Sequence, residues 1–284
     1  MPQYIDIHSH VNFKAFDADR DAVIRRTLEN NTWVINVGTQ TDTSRKAVEI
    51  ANQYKEGVYA IIGLHPIHTG ESFHDEEELG QGGKDFTSRG EVFDTEFYRE
   101  LLKDPKVVGI GECGLDYYRC NEESISKQKE AFVSQIKLAN EFNKPLMLHI
   151  RNGSTGSTQA IPNRNAYSDA LELLKTHAKV KGDVHFFAGT LGEAKGFLDF
   201  GFTLSFTGVI TFTHDYDEII KNTPLEMIMS ETDSPYVTPV PHRGKRNEPV
   251  FVKEIVKRIA KIKDLPEEEV AQAIIANAKR VFTF

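Results

Sequence analysis

The feature that most constrains this chain is a recurrence of eight short apolar, β-branched runs, with a longer segment of helical character between most of them. They read YIDIHS (4–9), WVINVG (33–38), VYAIIGL (58–64), KVVGIGE (106–112), PLMLHI (145–150), DVHFF (183–187), FTLSF (202–206) and EMIMSE (226–231). Apolar strands alternating with helices are the pattern of βαβ units and a parallel sheet. Eight of them predict an α/β fold, a closed (β/α)8 TIM-type barrel. A length of 284 residues suits one large barrel or two modest domains. The strand count favours residues 1–284 as a single barrel domain.

The intervening segments agree. Ile125, Phe132, Ile136 and Ala139 are spaced to line one helical face between the fourth and fifth runs. Pro145 is expected to stop that helix and open the next strand. Phe251, Ile255, Ile259 and Ile262 mark a second such face. Pro266 followed by three glutamates reads as the first turn of an extra C-terminal helix. Two stretches exceed a minimal barrel: residues 66–93 after the third run and 152–164 after the fifth, both polar and glycine-containing. Following strands, they fall on the carboxyl-end face, where barrels build binding loops, unless they are tolerated surface insertions.

Composition removes several classes. A formal net charge of −8 argues against a broad basic surface for nucleic acid, although bound metal ions could supply positive charge locally. Two cysteines, Cys113 and Cys120, give no disulfide framework and suit a reducing compartment. The sequence shows neither a secretory signal nor an apolar run of about eighteen residues, so the expectation is a cytoplasmic protein without a membrane association. No obligate protein partner is readable. Trp33 and the phenylalanines near strands read as core, and Cys113 as a packed thiol facing away from Glu112.

Histidines carry the chemistry. Three end positions on each strand cover roughly a tenth of a barrel chain, so about one of the ten histidines would land there by chance. Instead His8, His10, His65, His149 and His185 all do, beside Glu112 and Asp233. His8 and His10 are two apart on an extended run, so both side chains project from one face. Glu112 closes the fourth run, where an isolated buried carboxylate would be costly unless paired or metal-bound. Imidazole nitrogens suit zinc, manganese, iron or nickel, and carboxylates extend the range to magnesium. Six candidate ligands, His8, His10, Glu112, His149, His185 and Asp233, are too many for one open tetrahedral ion and suit two divalent ions (Mg, Mn or Zn) bridged by a carboxylate. Such a pair implies hydrolysis. Asp6 shares the alternation but lies deeper, and reads as a buried structural acid.

These residues sit in stretches that resemble the TatD family of metal-dependent deoxyribonucleases, among the amidohydrolase-like barrels. The matching stretches are IDIHSH, IGLHP, GIGECGLDYYR, KPLMLHIR, VHFFAGT, SETDSPYVTP and RGKRNEP, in the family's order along nearly the whole chain. The resemblance implies a metal pair on the six residues above, with Glu112 as the bridge and Asp233 orienting the attacking water and accepting its proton. It also implies that His65 and Arg119 face a substrate phosphate. Arg243, after the eighth run, could hold a phosphate or carboxylate, and Glu231 could orient a ligand. The chain departs from the family's HCFSG pattern at Phe186 and Ala188, which bears on pocket shape and not on the ligands.

The implied activity is cleavage of DNA phosphodiester bonds, as a 3'-5' exonuclease on single-stranded ends, with DNA or a nucleotide as substrate. An amide or ester hydrolase acting on a lactone or acyl-tRNA would share the same metal ligands. A non-catalytic scaffold would be favoured by lost ligands, yet every expected position is filled.

Overall fold

Each of the eight runs forms a strand, and neighbours in sequence become neighbours in the sheet. The computed structural model describes residues 2–74, 86–118, 120–153 and 164–284. Its strands are β1 (Tyr4–Ser9), β2 (Thr32–Val37), β3 (Val58–Ile62), β4 (Ser72–His74), β5 (Phe86–Ser88), β6 (Val107–Asp116), β7 (Leu146–Arg151), β8 (Gly182–Val184), β9 (Thr203–Phe206) and β10 (Ile228–Ser230). Eight of these form one parallel sheet in the order β1-β2-β3-β6-β7-β8-β9-β10, while β4 and β5 pair antiparallel by themselves. Helices cover the outside, so both faces of the strands are buried and the sequences read as nearly continuous apolar runs.

The barrel closes between β1 and the segment after β10. Ser9 and Ser234 form a parallel bridge. The His10 amide donates to Ser234 O at 2.8 Å and the Asp233 amide to His8 O at 2.9 Å. Asp6 is wholly buried, accepting hydrogen bonds from the amide and hydroxyl of Thr232. Burial lifts its carboxyl well above the usual range. The acid reads as a latch across the closure.

The helices are α1 (Arg20–Glu29), α2 (Thr41–Ala51), α3 (Thr95–Leu101), α4 (Glu122–Phe142), α5 (Ala166–His177), α6 (Leu191–Phe200), α7 (Asp217–Asn222), α8 (Val252–Lys263) and α9 (Glu267–Phe282). On α4 the expected apolar face is buried, and two glutamines share it. Gln135 grips both backbone groups of Leu64 at 2.9 and 3.0 Å, and Gln128 grips those of Asp116, each at 2.8 Å. One helix thereby fixes the chain ends after β3 and at β6. Asn143, in the left-handed region at φ 51°, ends α4 ahead of Pro145. α9 starts after Pro266 and packs on β1 and β10 as the extra C-terminal helix.

Several expected boundaries move. β6 runs on to Asp116, and β8 stops at Val184, leaving His185 just beyond it. Phe251 belongs to a short turn ahead of α8 and is only half-buried. Trp33 is likewise half-buried, packed against Tyr59 and Phe284. Cys113 is fully buried, as expected. Of the two long insertions, residues 75–85 and 154–163 lie outside the described residues. The flanks of the first carry the β4–β5 pair, and Glu91 accepts hydrogen bonds from the amide and hydroxyl of Thr41, each at 3.2 Å.

Candidate metal centre

The site is built where β1, β6, β7, β8 and β10 end. Glu112 lies at its middle because β6 can press against β7. Gly111 and Gly114 flank it with φ of +155° and +140°, and a Cβ on them would stand 2.5 Å from Met147 O and 2.1 Å from His149 O. Only glycine permits that approach.

Around Glu112 the expected side chains converge. Its Oε2 lies 3.3 Å from His8 Nε2 and 3.7 Å from His10 Nε2. Its Oε1 lies 2.9 Å from His149 Nδ1, 3.1 Å from His65 Nε2 and 3.6 Å from His185 Nε2. Asp233 Oδ1 is 3.4 Å from His10 Nε2 and 3.9 Å from His8 Nε2, and those two nitrogens are 3.1 Å apart. Asp233 occupies the left-handed region at φ 54°, and Phe186, following His185, does so at 45°. A non-glycine residue held there is strained and persists only where the surrounding structure fixes it.

Which nitrogen of each imidazole faces the cage depends on what stands behind the ring. The Nδ1–H of His10 donates to Val37 O at 2.9 Å, leaving a lone pair on Nε2. His185 Nδ1 lies 2.9 Å from Glu231 Oε1, at ion-pair distance but not aligned for a hydrogen bond, and its Nε2 is the nitrogen turned to the cage. Glu231 is itself buried and also accepts from the Phe186 amide at 2.6 Å and the Ser205 hydroxyl at 2.9 Å. His8 Nδ1 is buried without a hydrogen-bond partner among the described residues. His65 is backed the other way: its Nδ1 accepts from the Ile67 amide at 3.2 Å, so Nε2 carries the proton and presents a donor to Glu112. Although three side-chain groups, His8–His10–Asp233, His8–Glu112–His185 and His65–Glu112–His149, have donor atoms within 4.8 Å of one another, the tautomer of His65 makes it a hydrogen-bond donor to the site and not a ligand.

Within the cage, imidazoles and carboxylates compensate one another's charge. Burial, reinforced by His185, drives His8 down to about 4. Burial would also lower His185 and His149, but carboxylates win: Glu231 and Glu112 raise His185 to about 10, and Asp116 and Glu112 raise His149 to about 9. Glu112 is held well below the usual carboxylate range despite burial because imidazoles surround it, and Asp233 is lowered by its contact with His10. Imidazole nitrogens and carboxylate oxygens converging at 3 to 4 Å in a buried space are the donor types of a divalent-ion site, and Glu112 offers one oxygen to each half of it.

The substrate-facing expectations divide. His65 joins the cage and is buried. Arg119 lies outside the described residues. Arg243 donates to Thr238 O at 2.8 Å and stacks over the Phe212 ring at 4.2 Å, and no hydrogen bond or ion pair joins it to the cage among the described residues. The sequence reading passed over Asp116, whose Oδ2 is 2.8 Å from His149 Nε2. Its signal was the period of two that carries Glu112, Gly114 and Asp116 along one strand face.

A parallel eight-stranded barrel with imidazoles and carboxylates gathered at the carboxyl ends of its strands defines a metal-dependent barrel hydrolase. The chain belongs to the TatD-related DNase family, whose model matches residues 5–283. It is 35% identical over 282 residues to an uncharacterised metal-dependent hydrolase, YabD, of Bacillus subtilis, covering 98% of each chain. It is 30% identical over 287 residues, again 98% of each, to the 3'-5' ssDNA/RNA exonuclease TatD of Erwinia tasmaniensis. Among solved structures, the TatD homologue YjjV of Escherichia coli superposes with a TM-score of 0.79 at 24% identity, covering 99% of this chain and 98% of that one. No helix among the described residues is long and apolar enough to cross a membrane.

Proposed function

We propose that this protein hydrolyses DNA phosphodiester bonds, removing nucleotides from the 3' end of single strands, with two divalent ions held by His8, His10, Glu112, His149, His185 and Asp233. The observation that carries the reading is the position of Glu112, one carboxylate oxygen toward His8 and His10 and the other toward His149 and His185. When bound, the ions polarise the scissile phosphate and lower the pKa of an attacking water. Asp233 then orients that water and takes its proton. His65, its tautomer set by Ile67, would exchange Glu112 for a non-bridging phosphate oxygen as the partner of its Nε2–H once Glu112 holds the ions. Arg119 and Arg243 are the guanidinium groups we assign to flanking phosphates, Arg243 by exchanging its hydrogen bond to Thr238 O for one to phosphate. DNA as substrate is supported by the family model and by the exonuclease named among the relatives.

The test is purified protein with magnesium, manganese or zinc, incubated with labelled DNA and, in parallel, with amides, esters and lactones. Shortening of DNA that disappears in Glu112→Ala and Asp233→Asn supports the proposal. Unchanged cleavage by both variants, or turnover of the amide and lactone panel with none of DNA, contradicts it.

A further inference from the structure

We infer that Asp116 is a positioning residue that sets which nitrogen of His149 is offered to a metal ion. The inference rests on the metal-dependent reading of the cage. Asp116 is buried at the end of β6, on the strand that carries Glu112. Every part of it but one carboxylate oxygen has another attachment. Its amide donates to Gln128 Oε1 and its carbonyl accepts from Gln128 Nε2, each at 2.8 Å. Its Oδ1 accepts from the Tyr118 amide at 2.9 Å. Oδ2 alone is directed at His149 Nε2, 2.8 Å away, while His149 Nδ1 faces Glu112 Oε1 at 2.9 Å. A carboxylate so immobilised keeps the proton on Nε2 and leaves Nδ1 as the ligand nitrogen.

This is the reverse of the other rings, which face the cage through Nε2. It follows from where β7 stands. His149 pairs in register with Gly114, between Glu112 and Asp116 on the neighbouring strand, so its ring spans two carboxylates two turns of the pleat apart. Val37 O does for His10 what Asp116 does for His149, and Glu231 faces His185 Nδ1 at ion-pair distance. A purely structural ion pair would predict that any loss of Asp116 acts on folding alone.

The experiment is titration of metal-free protein with manganese, followed by the electron-spin signal of the free ion, on wild type, Asp116→Ala and Asp116→Asn. Thermal unfolding in chelator is measured alongside, with Asp116→Ser replacing the alanine variant if that one does not fold. The alanine variant should lose roughly 10- to 100-fold in affinity for one ion. The asparagine variant should keep more affinity than the alanine variant, because its amide oxygen can accept the same Nε2–H, although its NH2 then faces the Tyr118 amide in place of Oδ1. In a His149→Ala background, Asp116→Ala should change affinity no further. Wild-type affinity in Asp116→Ala, or equal losses in the alanine and asparagine variants, would overturn the inference. A wild-type protein that binds no manganese would overturn the metal reading beneath it, a different and separately visible result.

Discussion

His65 and Asp233 show how single residues are tuned by what lies behind them. The Ile67 amide makes His65 a neutral donor, and burial together with the neighbouring His149 lowers its pKa. Replacing it by phenylalanine keeps ring shape and removes the donor. Turnover of DNA should fall by about 10²-fold, as for loss of one oxyanion donor, while metal content by elemental analysis stays unchanged. A fall in metal content would make His65 a ligand. Asp233→Asn should bind the same metal and lose at least about 10²-fold in kcat, if the carboxylate accepts the proton of the attacking water. Measured kcat equal to wild type would remove Asp233 from that role.

At the scale of elements, β6 and the loop after β10 do the positioning. Gly114 allows β6 to lie against the His149 carbonyl, and an alanine there combines a positive φ with a 2.1 Å collision. Gly114→Ala should destabilise by at least about 3 kcal/mol or abolish soluble expression, as overpacking plus backbone strain implies. A melting temperature equal to wild type would mean that the strands have room to part. The loop after β10 is tied to the chain before α1 by Arg246, which meets both carboxylate oxygens of Asp19 at 2.9 and 2.7 Å. Its hydrogen bond holds the Asp19 carboxyl below its usual range. A depressed folded pKa gives stability that is present above the unfolded value, about 3.9, and lost as pH falls through the folded one. Because both partners keep about a third of their surface in water, the contribution is under about 1 kcal/mol. Asp19→Asn should therefore lower stability slightly at neutral pH and flatten the acid limb of a melting-temperature profile below pH about 4; an unchanged profile would show the tie to be inert.

For the molecule as a whole, the barrel was legible because eight apolar runs each bury both faces, a pattern that survives errors at the ends of individual strands. The cage was legible where histidines interrupt or end such runs. What escaped depends on three-dimensional neighbours. Asp116 lies four residues past Glu112 on a strand that reads as ended; the tautomer of His65 depends on a backbone amide two residues away; Arg243 turns to Phe212, a residue from another loop. With an overall charge of −8, strand binding should rest on few phosphate contacts, giving a shallow dependence of affinity on salt. Metal-dependent removal of nucleotides from 3' ends is checked by incubating a 5'-labelled single strand, with and without a phosphorothioate block at its 3' end, with manganese-loaded protein. The open strand should give a descending ladder, the blocked strand none, and Asp233→Asn none from either. Equal shortening of the blocked strand, or an intact strand at every metal tried, would contradict it.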